Sequence, residues 1–148
     1  MRTYKGKFTP KNKHKYSGDI TKIRYLSLWE RQAFRWCDAS PRVKYWSSEE
    51  VIIPYRYRVD GRVHRYHVDL LVEWTGGGTS LIEIKPDKET KPPATPKRKT
   101  KRYVKAVQTY IKNEDKWSAA KQWCEKNDVK WEIWTENSLK GMGIKLLK

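Results

Sequence analysis

The chain has 148 residues, enough for one domain that buries well over half of its unfolded surface. Lys and Arg number 33 against 17 Asp and Glu, a formal charge of +16, while eight tryptophans and nine tyrosines supply the bulky side chains that a disordered chain lacks. This excludes a disordered tail, no stretch approaches the roughly 20 apolar residues of a membrane span, and the charge calls for a polyanionic partner, with nucleic acid ahead of a membrane surface.

Residues 1–24 are basic, with Asp19 the single acid, and Gly6, Pro10 and Gly18 interrupt them. They read as a basic arm rather than a packed element, with Lys11, Lys13 and Lys15 placed to follow DNA phosphates. The first residues have no apolar run behind them, so no secretory signal is expected. A helix follows. Ser27 is its N-cap candidate and Glu30 stands at capping-box spacing; Trp29, Ala33, Trp36 and Cys37 recur at helical spacing up to Asp38-Ala39-Ser40-Pro41. Cys37 and Cys124 form no CxxC pair and read as buried reduced thiols of a cytosolic setting.

Val43–Trp46 is a short apolar piece that can begin a sheet, and residues 51–58 read as a strand with Pro54 at an edge or bulge. Asp60-Gly61 signals a hairpin turn, after which one return strand is expected from about Val63 to Trp74. Within it Tyr66, Val68, Leu70, Val72 and Trp74 share one face. Gly76-Gly77-Gly78 makes a second turn into a strand over 80–85, which completes a three-strand meander. Arg56 and Arg58 share the face opposite Tyr55 and Tyr57, and either contact phosphates or belong to an ordinary half-buried strand. His64 and His67 read as structural, with catalysis or metal binding as the alternative.

Residues 86–100 hold four of the seven prolines and read as a long exposed loop. Lys97, Arg98, Lys99, Lys101 and Arg102 form a second cationic cluster suited to the DNA backbone. A helix or helix pair is expected over 101–126, with Asn113-Glu114-Asp115 as its break. Residues 129–135 form a last strand, and 138–147 a short helix or turn.

Glu83 and Lys85 interrupt an otherwise apolar strand, Leu81-Ile82-Glu83-Ile84-Lys85, and project from the same face about 7 Å apart. Such charges belong either to a solvated strand face or to a site. Asp69 lies one hairpin away, where strands about 4.8 Å apart can bring it opposite Glu83. Glu30 has two roles open to it, helix capping and a share in that site.

Helix with Glu30, strand, strand with Asp69, strand with Glu83-x-Lys85, helix and strand follow one another in the order of the PD-(D/E)xK nuclease superfamily, which the chain resembles. Val68 stands where the superfamily's motif has its proline, and Gln108-Thr109-Tyr110 does not fit the RecB-like exonuclease branch. More specific runs extend over nearly the whole chain: Gly6-Lys7, Pro10-Lys-Asn12, Lys15-Tyr16-x-Gly18-Asp19, Ile53-Pro54-Tyr55, Ile82-Glu-Ile-Lys-Pro86 and Lys88-Glu-Thr90-x-Pro92-Pro93. These resemble the head-completion nucleases of T4-like tailed bacteriophages.

The resemblance implies an α/β restriction-endonuclease-like core, helix–three-strand meander–helix–strand, with a mixed sheet of about four strands flanked by helices in a single domain 1–148. It implies Mg²⁺, with Mn²⁺ as a substitute, held by Asp69, Glu83 and the Ile84 carbonyl, with Glu30 on a second metal or a metal-bound water. Lys85 would orient the attacking water and offset phosphate charge. The implied activity is metal-dependent DNA endonuclease cleavage during head completion after packaging. The setting is the host cytoplasm during assembly or the virion, among head, portal or neck proteins. Two other functions remain open: a structural head or neck protein that keeps a nuclease fold, and a branched-DNA resolvase.

Overall fold

The structure is a computed structural model and describes residues 4–147. The expectation of an unpacked arm over 1–24 is corrected for its described part; residues 1–3 lie outside the described residues. Gly6–Lys7 (β1) pairs antiparallel with Arg24–Tyr25 (β2), and Phe8 N–H donates to the Ile23 carbonyl at 2.9 Å. Pro10, Tyr16 and Ile23 are buried, and Phe8 meets Phe34 and Trp46 edge-on at 5.6 and 5.9 Å between centroids. Burying each such side chain is worth about 1.5–3 kcal/mol, enough to hold a segment that carries many lysines. The polar half of the fastening is Asp38, whose carboxylate accepts the backbone N–H groups of Lys11 and Asn12 at 2.9 and 3.1 Å.

Ser27 is extended and accepts the Glu30 amide hydrogen at 3.2 Å, so the helix α1 (Leu28–Ala39) starts at the predicted cap. Lys15 closes its other end, its ammonium donating to the Asp38 and Ser40 carbonyls at 3.0 and 2.8 Å.

The remaining strands are β3 (Val43–Ser47), β4 (Ile52–Arg56), β5 (Val63–His67), β6 (Leu70–Trp74) and β7 (Thr79–Ile84). After them come α2 (Lys101–Asn127), β8 (Lys130–Trp134) and α3 (Glu136–Gly141). The main sheet runs β3-β6-β7-β8, antiparallel except for the parallel β7–β8 pair. Parallel neighbours need a long crossover, and α2 supplies it.

Two predicted features differ. The single return strand is two strands in two sheets: β5 pairs only with β4, as an inserted hairpin, while β6 enters the main sheet beside β3. The meander is therefore β3, β6 and β7. The break in α2 at Asn113-Glu114-Asp115 does not occur; Asn113 is buried on the packed face, while Glu114 and Asp115 bind Arg58 at 3.0 and 2.8 Å. Asp87–Thr90 makes one 3-10 turn within the proline-rich loop.

The sheet separates two cores. Ile82 and Ile84 pack with α1, β3, Trp134 and Leu139, and Leu81 packs with Tyr66, Val68, Trp117 and Cys124 under the hairpin and α2. Alternation along β7 thus aims Glu83 toward the hairpin and α2. Both cysteines are free and buried, and burial raises the Cys124 thiol to about 11.

Candidate active site

Four carboxylates gather where the β5–β6 break meets the end of β7. Leu70 pairs with Ile82, so Asp69, one residue before β6, falls beside Glu83. Its Oδ2 accepts the Ile84 amide hydrogen at 2.7 Å, taking the ladder donor that a continuing strand would have used. Glu83 is 7% exposed; its Oε2 accepts the Tyr66 hydroxyl proton and its Oε1 lies 3.8 Å from the Lys85 ammonium. Glu30 is 9% exposed, and its Oε2 accepts the Ser27 hydroxyl at 3.3 Å. Capping and a place in the cluster are thus compatible in one residue.

The electrostatics follow from burial. It pushes the Asp69 carboxyl well above its ordinary range, and the charges of Glu83 and Glu30 push it further. Burial likewise raises Glu83, opposed by the Tyr66 hydrogen bond and by Lys85 and Lys116. It raises Glu30 to about 7, with Glu49 and Glu83 adding repulsion against the Ser27 hydrogen bond.

Three contributors escaped sequence reading. Tyr66 comes from the inserted hairpin. Lys116 comes from α2, its ammonium 5.3 Å from the Tyr66 ring centre, where burial lowers its affinity for a proton and Glu83 opposes that. Glu49 holds a left-handed backbone at φ 57°, a costly conformation for a non-glycine residue, and its N–H donates to the Val68 carbonyl at 3.1 Å. Nothing in local sequence marks any of the three; Lys116 is simply the neighbour of the apolar Trp117.

Among the described residues no three His, Cys, Asp or Glu side chains stand close enough to hold a metal as they are placed. The donor set still suits a hard cation: Asp69 Oδ1 makes no hydrogen bond among the described residues, and Glu83 Oε1 has only the 3.8 Å lysine contact.

The predicted phosphate contacts divide. Lys15 is engaged by helix carbonyls, Arg58 by Glu114 and Asp115, and Arg56 by the Gly61 carbonyl at 2.6 Å. Those three guanidinium and ammonium groups serve the fold. Lys11, Lys13, Lys97, Arg98, Lys99, Lys101 and Arg102 are exposed, with no ion pair among the described residues. His64 bonds Asp60 at 2.8 Å and stacks on Tyr55, the structural role expected.

The family model described as TnsA-like endonuclease N terminal matches residues 40–136. That span includes Asp69, Glu83 and Lys85 and leaves Glu30 outside. The chain is also 42% identical over 146 residues to the head completion nuclease of Enterobacteria phage T4, across 96% of this chain and 97% of that protein. The order of elements around the carboxylates is that of a restriction-endonuclease-like fold. The chain belongs to the TnsA-like N-terminal endonuclease family and, over nearly its whole length, to the family of the phage T4 head completion nuclease.

Proposed function

We propose that this protein is a Mg²⁺-dependent deoxyribonuclease that cuts phosphodiester bonds during phage head completion, after DNA packaging. The observation that carries the reading is the juxtaposition of Asp69 and Glu83 across the β6–β7 ladder, with Lys85 beside them. Family membership supports the class of reaction. Asp69, Glu83 and the Ile84 carbonyl would hold Mg²⁺ or Mn²⁺, and Glu30 would hold a second ion or order a water near it. When bound, the metal supplies positive charge to the phosphate and an acidified water.

The chain's own groups do the rest. Lys85 orients the attacking water and offsets phosphate charge, and Tyr66 holds the Glu83 carboxylate in place. The exposed cations Lys97, Arg98, Lys99, Lys101 and Arg102, with Lys11 and Lys13, meet the DNA backbone, so recognition rests on backbone and shape rather than bases. Work on a packaged head implies action in the host cytoplasm during assembly or in the particle, beside portal or neck proteins. The test is plasmid cleavage by the purified chain with Mg²⁺, with Mn²⁺ and with EDTA, beside Asp69→Asn. Nicks or breaks that need the metal and vanish in the variant support the reading. A chain inert toward every DNA form with either metal overturns it and leaves a structural head protein with a nuclease fold.

A further inference from the structure

A groove between the Asp87–Thr90 turn and the first turns of α2 takes no part in the carboxylate cluster. It encloses about 410 Å³, within the range of pockets that hold small ligands. Lys88, Arg102 and Lys105 stand on its rim against the single acid Glu89, and Ala106 and Tyr110, four residues apart on one helix face, line it. Tyr110 is half-buried and makes no hydrogen bond or ring pairing among the described residues. A surface that only follows phosphates needs cations; an uncommitted aromatic between cations suits a nucleotide, which brings a phosphate and a π face together.

The groove draws on the same two chain segments as the carboxylate site. Lys88 follows Lys85 by three residues, and Asn113 at the inner end lies three residues before Lys116, whose charge bears on Glu83. We propose that the groove receives an unpaired DNA nucleotide next to the scissile bond, its base on Tyr110 and its phosphate against Lys105 and Arg102. Bases of an intact duplex are stacked and cannot enter. The preferred substrate is therefore DNA with a single-stranded or unstacked segment rather than uniform duplex. This deepens the nuclease reading and rests on it.

The test is fluorescence-anisotropy binding of the full chain in EDTA at one salt concentration. The probes are a blunt duplex and the same duplex with a short single-stranded overhang. The wild type is expected to bind the overhang probe about 10-fold more tightly, the scale of one base–aromatic stack. Tyr110→Ala brings the two probes within about twofold while blunt-duplex affinity stays as it was, and Tyr110→Phe keeps the preference. Tyr110→Leu, which retains apolar volume without the ring, serves in place of the alanine variant if circular dichroism shows that variant unfolded.

Equal wild-type affinities overturn the proposal, as does a preference that survives loss of the ring, or an equal loss on both probes. Because binding is read without metal, a chain that shows the preference yet never cuts contradicts the nuclease reading alone. A chain that cuts without the preference contradicts the groove alone.

Discussion

Tyr66 on β5 donates its hydroxyl proton to Glu83 on β7, so the hairpin inserted between β3 and β6 reaches the carboxylate cluster from outside the main sheet. One oxygen of Glu83 is thereby fixed and the other left toward Lys85. Tyr66→Phe keeps the ring beneath Lys116 and removes only that anchor. Cleavage is expected to fall roughly 10- to 100-fold, as for other groups that orient a metal ligand. Rates measured at saturating DNA check this, with DNA affinity unchanged.

Burying carboxylates without a full complement of cations destabilises the fold, and the pH dependence should show it. Glu30 is raised from 4.5 to about 7 by burial, so folding favours its neutral form. Its contribution is fully present below the unfolded value of 4.5 and is lost as the pH rises through about 7. Denaturant titrations in EDTA should show wild type losing more stability than Glu30→Gln between about pH 5 and about pH 8, by at most about 3 kcal/mol. A parallel response of the two proteins would place the Glu30 carboxyl in water.

Asp69→Asn removes a carboxyl whose charged form is opposed by burial and by Glu83 and Glu30, and keeps an oxygen to accept from Ile84 N–H. In metal-free buffer near neutral pH this variant should melt above wild type. Mg²⁺ should then raise the wild-type midpoint, by about 2.7 kcal/mol of stability at a hundred times its dissociation constant, and leave the variant where it was. Differential scanning calorimetry with and without Mg²⁺ reads both effects.

Lys15 and the loop lysines should separate cleanly. Lys15→Ala uncovers two helix-end carbonyls and should cost about 1–3 kcal/mol of stability with no change in the salt dependence of DNA binding. Replacing Lys97, Arg98 and Lys99 together by alanine should leave the melting midpoint alone. It should flatten the slope of log affinity against log salt by up to about 3.

The apolar alternation makes plain why part of this was legible in the chain and part was not. Glu83 and Lys85 stand out because charge inside an apolar strand is expensive, and Ser27 marks α1 by its local cap. The passage from β5 to β6 stays hidden because Tyr66, Val68, Leu70 and Val72 are all buried, so a period of two runs through a change of sheet. Val68 still bonds Val51 and Glu49 while Leu70 already pairs with Ile82, and no residue type announces that handover. The N-terminal segment fails differently. Pro10, Tyr16 and Ile23 bury, and Phe8 half-buries, without any period, and the acid that fastens them, Asp38, lies at the far end of α1. Lys116 and Glu49 join the cluster only through tertiary packing.

Glu83, held between Tyr66 and Lys85, is proposed as part of a metal-dependent nuclease centre. The most direct measurement is cleavage of a labelled DNA by wild type and Glu83→Gln in Mg²⁺, with DNA binding and folding measured on the same samples. Metal-dependent cutting by wild type, and at least about a 1,000-fold loss in a variant that still folds and binds, is the predicted result. Equal cutting by the two proteins would contradict it.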